Sequence, residues 1–383
     1  MQAEQHLIVE VRGGAGLITL NRPKALNALS LPMIRQITAA LLDWRVQPAI
    51  KLVAIRGMGK NPAHATDSTA PAFTPFGSFC AGGDIRYFHQ AIFAGDPSLE
   101  DFFTEEYQLN HLIHTYPKPY IAFMDGIVFG GGMGISQGAS QRIVTERTKM
   151  AMPETGIGLF PDVGGGYFLS RCPGRVGEYL ALTGQTIGGA DAVDCQLADA
   201  LVPSAALAQL WDALPALPEA NTQSIKQFFA IEKVAAYANI QRATGLNVPK
   251  IDAVFGLDTL PSMLAALERD ASVWALETLA TLRKRSPLML HVVLEQIHRA
   301  RTMTLADDLR MERDMVRHCF HTHHLGRTGA ASETVEGIRA LAVDKDHAPQ
   351  WNPARIEDVT SDMVQPFFSS PWPKAGHPLR DLS

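Results

Sequence analysis

Pro117–Gly134 reads PKPYIAFMDGIVFGGGMG, a proline-bounded apolar run over Ile121–Met124 followed by a glycine cluster at Phe129–Gly134. A short apolar run between turn signals reads as a buried strand. Glycines at its end leave backbone N–H groups bare where a helix begins, and there the peptide dipoles present their positive ends. Strand, turn and helix in that order place the chain in the α/β class. The pattern recurs upstream at Cys80–Asp84 (CAGGD), with Ile85, Phe88 and Ile92 following at helical spacing. Two such turns side by side can form a hole for an oxyanion, because fixed N–H donors stabilise charge developing on an oxygen. Tight turns and close packing also call for glycine, so one cluster alone decides nothing.

Downstream lies Met152–Gly166, MPETGIGLFPDVGGG, in which Glu154 and Asp162 each follow a proline among glycines and apolar residues. Proline stiffens the backbone ahead of each acid. Apolar surroundings raise a carboxyl pKa, and a neighbouring like charge raises it further, giving an acid or base that works near neutrality. A helix N-cap at Asp162 and a first-turn acid at Glu154 are the plainer readings. A third acid stands out upstream. In Leu99–Ile113 the residues Leu99, Phe102, Leu109 and Ile113 form one helical stripe with Glu106 in its middle, while Glu105 falls toward the polar side. An acid on an apolar face needs a partner, a water or a ligand, unless it snorkels to solvent.

Outward from these motifs, Ile8–Val11, Gly16–Leu20 and Leu52–Arg56 read as strands. Leu31–Trp44 reads as an amphipathic helix opened by Asn27–Ser30, with Ile34, Ile37, Leu41 and Trp44 inward. This ββα rhythm continues with strands at Tyr120–Met124 and Arg142–Thr145, a helix after Gly166 and another near Gly177–Leu182. Met58–Ser78 is small, polar and proline-containing, and is expected to be a long surface loop overhanging the ligand entrance. A second boundary is expected around Val202–Asn221, dividing the chain into 1–205 and 206–383. Beyond it, Ser286–Pro287 starts a helix, and Thr304 with Asp307 and Asp308 caps another through Leu305, Leu309 and Met315 to about His318.

Composition bounds the function. The chain has 383 residues, 46% hydrophobic and 19% charged, which suits a sizeable core. A net charge of −5 argues against nucleic acid as the main partner, because phosphate binding needs clustered Lys and Arg. Apolar stretches are interrupted before they reach the length of a membrane span. Met1–Arg12 carries Glu4 and Glu10 without an apolar core, so no secretory leader is expected. Cys80, Cys172, Cys195 and Cys319 read as reduced thiols, and a cytoplasmic, bacterial setting is expected. A catalytic thiolate is considered only at Cys80, where no base is evident. His318, Cys319, His321, His323 and His324 have metal-ligand chemistry, but the chain has no CxxC partner; a histidine-rich helix end explains them and no metal is expected. Neither GxSxG nor GxxxxGK[ST] occurs.

Taken together, the chain resembles the crotonase (enoyl-CoA hydratase/isomerase) superfamily, on its thioester-hydrolase branch. The matching segments are Asn21–Leu29 (NRPKALNAL), Phe79–Arg86 (FCAGGDIR), Glu105–Asn110 (EEYQLN), Pro117–Gly134, Met152–Leu169 (MPETGIGLFPDVGGGYFL) and Glu336–Pro353 (EGIRALAVDKDHAPQWNP). The first and fourth are common to the superfamily; EEY, PE, PDVGGGYF and the late DKD…P.W.P mark the branch. The resemblance implies a crotonase-like α/β spiral of repeated ββα units with a mainly helical C-terminal region, which in the family closes over the site or mediates assembly; a homo-oligomer is thus among the expectations.

The resemblance further implies that the Gly83 and Gly131 amides form the oxyanion hole around a thioester carbonyl. Glu154 and Asp162 would be catalytic, and Glu106, Gly131, Glu154 and Asp162 would contact the acyl group. Lys24, Ala25, Leu26, Ala81, Asp84, Ile85 and Arg86 would bind CoA, with Lys118 a further candidate for its phosphates. The acyl-CoA would be the partner, with no nucleic acid, membrane or cofactor. The second glutamate of hydratases would fall at Gly134, which offers no acid/base group. The implied reaction is hydrolysis of 3-hydroxyisobutyryl-CoA in valine breakdown. Hydration or isomerisation of an enoyl-CoA is the first alternative, and a non-catalytic scaffold the second.

Overall fold

The computed structural model describes residues 5–60, 76–217, 221, 223–229 and 245–383. Residues 61–75 of the expected entrance loop lie outside that range, as do 218–220 and 222 near the expected second boundary. The strands that matter here are β1 (Leu7–Arg12), β2 (Ala15–Leu20), β3 (Leu52–Gly57), β4 (Tyr120–Met124), β5 (Ile127–Phe129), β6 (Gln141–Val144), β7 (Lys149–Ala151), β8 (Ile187–Gly188) and β9 (Ala200–Leu201). The helices are α1 (Leu31–Val46), α2 (Ile85–Ala94), α3 (Ser98–His114), α4 (Gly131–Gln137), α5 (Gly165–Leu169) and α6 (Val176–Thr183). The expected strands and helices fall on these elements to within a few residues.

Packing groups the residues into two compact units that interleave along the chain, 1–83, 109–150 and 187–245 in one and 84–108, 151–186 and 246–383 in the other. The expected division at 205/206 is a single linear cut, whereas α2 and residues 151–186 pack with the helical C-terminal residues.

The first unit is built on a sheet in the order β1-β2-β3-β4-β6-β9. β1 and β2 form an antiparallel hairpin, Leu7 opposite Leu20 and Arg12 opposite Ala15, around Gly13 at φ 51°. The remaining pairs are parallel. Parallel neighbours need crossover connections and covered faces, so β2 (AGLITL) and β4 (YIAFM) are apolar and buried along their whole length. α1 makes the crossover from β2 to β3 and buries Ile34, Ile37, Leu41 and Trp44, as its spacing predicts. Trp44 lies directly on β2, where only glycine fits: a Cβ at Gly16 would stand 2.4 Å from the indole ring. On the other side of the sheet Leu17, Ala54, Phe123 and Ile143 pack with Leu210, Trp211 and Phe229. Lys118 corrects one expectation. Its ammonium donates to Trp44 O and, at 2.7 Å, to Gln47 O, so it caps the negative end of α1 rather than being offered to phosphate.

The second unit is mainly helical. The helix Pro287–Ala300 opens with Ser286 Oγ accepting from Met289 N, and the helix Leu305–Phe320 with Thr304 Oγ1 accepting from Asp307 N, both at the predicted caps. Buried Arg313 ties the second of these to α3 by donating to Glu100 Oε2 (2.5 Å) and Thr104 Oγ1 (3.0 Å). The four cysteines are buried.

Candidate active site

The two predicted amide turns belong to the first unit and lie against each other. Cys80 pairs with Val128 and Leu29 with Gly83 as isolated bridges; Phe129 N donates to Cys80 O (3.0 Å) and Ala81 N to Leu26 O (3.0 Å). Buried Asn27, itself at φ 59°, anchors the first turn by donating to Met58 O (3.1 Å) and Ser78 O (2.7 Å). Glycine is required by contact as much as by conformation. A Cβ at Gly82 (φ 98°) would stand 3.3 Å from Phe129 O, beside Gly131 N at 3.6 Å, and one at Gly132 only 2.5 Å from Cys80 O. Gly130 adopts φ 48°, ψ −119° to start α4, a conformation closed to residues with a side chain. Among the described residues the amides of Gly83 and Gly131 have no acceptor. Cys80 Sγ turns back on Gly82, accepting its N–H at 3.4 Å.

The three acids belong to the second unit, apart from the glycine turns in sequence. Glu106 is on α3, Glu154 begins a 3-10 turn after β7, and Asp162 lies in the loop before α5; they are 2%, 7% and 6% exposed. So Glu106 does not snorkel. The three carboxyls feel one another. Burial first, then the Asp162 and Glu154 charges, push Glu106 well above the carboxylate range. Burial and then Asp162 do the same to Glu154. Asp162 is pushed up to about 6 by burial, opposed by the Tyr107 hydroxyl, which donates to Asp162 Oδ2 at 2.8 Å. Among the described residues no cation stands among the causes acting on any of the three. Glu106 Oε1 and Glu154 Oε2 are enclosed without a hydrogen-bond partner among the described residues. Leaving buried polar oxygens unpaired costs about 1–3 kcal/mol each, which is the signature of atoms that meet a ligand.

Two further acids are buried nearby: Asp308, expected only as a helix-capping acid, and Glu312, for which the sequence raised no expectation. Glu312 accepts from Gly164 N (2.7 Å) and Gly166 N (3.0 Å), and Asp308 from Tyr167 N (2.9 Å), so the third glycine cluster is filled by the chain's own carboxyls. Gln296 Nε2 bridges Glu312 Oε1 (3.1 Å) to Pro161 O (2.7 Å). Burial pushes Asp308 up to about 6, and burial with Asp308 as neighbour pushes Glu312 well above the usual range. Between Asp162 and this clamp sits Val163 at φ 57°, a left-handed conformation that a β-branched residue resists. Such strain costs about 1–3 kcal/mol. Three amide hydrogen bonds to acids, each contributing ~1.5–3 kcal/mol where the acceptor is charged, offset it.

Of the residues assigned to CoA, Lys24 and Ala25 are exposed on a short 3-10 turn, and Leu26 and Ala81 join their two loops through the Ala81 N to Leu26 O bond. Asp84 caps α2 by accepting from Tyr87 N, and Ile85 is the first residue of that helix. Arg86 lines an open groove of about 330 Å³ with His89, Gln90, Ala342, Val343 and Lys345. His318 and His324 are engaged by the carbonyls of Ser369 and Met363, and no group of three metal-ligating side chains occurs among the described residues. The signal that could have revealed Asp308 and Glu312 is the one that revealed Glu106: both fall on the buried stripe of their helix with Leu305, Leu309, Met315 and Val316. Tyr107 lies inside the EEYQLN motif and went unremarked.

Comparison with known proteins agrees with this geometry. The family model described as enoyl-CoA hydratase/isomerase matches residues 15–368. Among curated proteins, the mitochondrial 3-hydroxyisobutyryl-CoA hydrolase of Rattus norvegicus is 39% identical over 95% of this chain and 89% of its own. That of Homo sapiens is 37% identical over 96% and 89%. Among solved structures, a carnitinyl-CoA dehydratase from Mycobacterium thermoresistibile is 34% identical with a TM-score of 0.79, covering 99% of this chain and 100% of that one. An enoyl-CoA hydratase from Rhodobacter sphaeroides 2.4.1 is 33% identical with the same TM-score, covering 96% and 98%. The α/β fold with its mainly helical C-terminal region is therefore the crotonase fold, and the chain belongs to the enoyl-CoA hydratase/isomerase family.

Proposed function

We propose that this protein hydrolyses acyl-CoA thioesters, and that its substrate is 3-hydroxyisobutyryl-CoA, which yields 3-hydroxyisobutyrate and CoA. The observation that carries this reading is the set of three enclosed carboxyls, two of them, Glu106 and Glu154, with an unpartnered oxygen, found in a chain whose curated relatives bear that hydrolase name. In this reading the thioester carbonyl is held by the Gly83 and Gly131 amides, fixed donors that need no reorganisation as charge builds on the oxygen. Glu154 in its ionised form attacks the carbonyl carbon, or takes a proton from the water that does; burial and like charge make it the stronger base. The tetrahedral intermediate collapses, the C–S bond breaks, and CoA leaves as the thiolate. Asp162, held by Tyr107, binds the acyl hydroxyl or orients Glu154 and water. Glu106 lines the acyl pocket, its carboxyl pushed up by burial and by the Asp162 and Glu154 charges.

Gly134 decides between this and the hydratase reading suggested by the names of the solved neighbours. Water addition across a double bond uses two acid/base groups, each contributing on the order of 10²–10⁴-fold. A glycine inside buried α4 supplies none. The Arg86 and Lys345 groove is a place for CoA phosphates, with two cations and a histidine converging on it. The proposed chemistry consumes only the thioester and water. Few cysteines, all of them buried, suit a reducing compartment, and we place the protein in the cytoplasm. No helix among the described residues is long and apolar enough to cross a membrane.

A panel of acyl-CoAs assayed for thiol release and for double-bond absorbance tests the reading. Release of CoA from 3-hydroxyisobutyryl-CoA with no change in enoyl absorbance supports it. Hydration of an enoyl-CoA without thiol release overturns it.

A further inference from the structure

Asp162 is presented by a turn that is tied down on both sides of its own peptide. Gln296 holds Pro161 O, Glu312 holds the amides of Gly164 and Gly166, and Asp308 holds that of Tyr167; Gly165 N closes the turn on Asp162 O at 2.8 Å. Left-handed Val163 stands between the acid and the clamp. Released from the clamp, the turn can relax toward ordinary φ at Val163 and swing the Asp162 carboxyl with it. There is no slack to absorb such a change: a Cβ at Gly166 would stand 2.4 Å from Asp308 Oδ1, and one at Gly165 3.0 Å from Pro161 Cβ.

We propose that Asp308 and Glu312 are positioning residues, a buried carboxyl pair that holds the Asp162–Tyr167 turn in its strained form so that the Asp162 side chain is aimed for the reaction. The inference rests on the reading of Asp162 as a residue of the reaction. Neither acid touches substrate; both act through the backbone that carries Asp162. The groups facing them are accounted for. Glu312 is met by Gln296, the two glycine amides and the Asp308 carboxyl and also faces Asp162 and Tyr107, whereas Asp308 is met by the Tyr167 amide and the Glu312 carboxyl and feels Arg171. Asp162 in turn faces Tyr107, Glu106, Glu154, Glu312 and Cys319. The glycine run that looks like a binding loop for an anion is thus already satisfied from within the protein, by carboxyls about 145 residues away in sequence.

The test is a double-mutant cycle on thiol release from 3-hydroxyisobutyryl-CoA, with thermal melts to confirm folding. Glu312→Gln keeps the shape but turns a donor toward amides that need an acceptor. It should lower kcat by ~10–100-fold, the scale of an ångström of misplacement, with KM within about threefold of wild type. Asp162→Asn alone should lower kcat by ~10²-fold or more. The decisive result is the pair: in the Asp162→Asn background, Glu312→Gln should cost no more than about threefold, because the residue through which it acts is gone. Asp308→Ala, which removes the acceptor of the Tyr167 amide and leaves both glycine amides on Glu312, should show a smaller loss with the same non-additivity, and it stands in if Glu312→Gln does not fold. Full multiplication of the single effects in the double variant, or a folded Glu312→Gln enzyme within threefold of wild type, overturns the proposal. A fully active Asp162→Asn enzyme instead overturns the reading of Asp162 and leaves no role for the clamp in the reaction.

Discussion

Replacing Tyr107 by Phe removes one oxygen and leaves the ring in place. That oxygen donates to Asp162 Oδ2 at 2.8 Å in a fully enclosed setting, and it is the side-chain contact that holds the Asp162 carboxyl down against burial, which has raised it to about 6. A hydrogen bond to a charged group contributes ~1.5–3 kcal/mol, and one pKa unit corresponds to ~1.4 kcal/mol. Without it the Asp162 carboxyl rises by roughly one to two further units. If ionised Asp162 is needed for turnover, the acidic limb of kcat moves to higher pH by that amount. Turnover at neutral pH then falls roughly two- to tenfold, simply from the fraction of enzyme still protonated, and recovers above about pH 9. Initial rates of CoA thiol release from pH 5 to 9, wild type against Tyr107→Phe, measure it. An acidic limb that stays where it was, with kcat lowered equally at all pH, would refute the role given to this hydrogen bond.

Three further outcomes are expected. Asp162→Asn should melt at a higher temperature than wild type at pH 8 although it turns over poorly: a carboxyl raised from 3.8 to about 6 gives stability that is complete below the unfolded value and lost as pH rises through about 6. The shift of about two units corresponds to roughly 3 kcal/mol, and the difference between the two proteins should vanish toward pH 4. Gly132→Ala places a Cβ 2.5 Å from the Cys80 carbonyl and must push the two amide turns apart; kcat should fall ~10–100-fold, read as thiol release, with the Glu154 region unaltered. Arg86→Ala and Lys345→Ala should each raise KM several-fold for the CoA thioester and leave an N-acetylcysteamine thioester, which has no phosphates, unaffected.

Much of the fold was legible because its elements are periodic and local. Ile34, Ile37, Leu41 and Trp44 all face inward from α1, and the apolar run at Ile121–Met124 is the fully buried β4. Glu106 was legible for the same reason: an acid on an apolar stripe is conspicuous whatever surrounds it. The two glycine turns were recognisable singly, but the close approach of Gly82 to Gly131 depends on the Cys80–Val128 pairing, which joins residues some fifty positions apart. What stayed hidden was long-range or conformational. Glu312 reaches the Gly164 amide across 148 residues. The left-handed backbone at Val163 has no mark in a sequence where valine usually reads as strand. Lys118 was misread because a cation near a phosphate-binding motif and a cation at the end of a helix look alike until the helix is placed.

In the proposed function Glu154 performs thioester hydrolysis on a carbonyl held by backbone amides. The most direct measurement is single-turnover thiol release from 3-hydroxyisobutyryl-CoA by Glu154→Gln at saturating enzyme. The rate should be lower by at least several hundredfold with binding of the thioester retained. A rate within tenfold of wild type would contradict it.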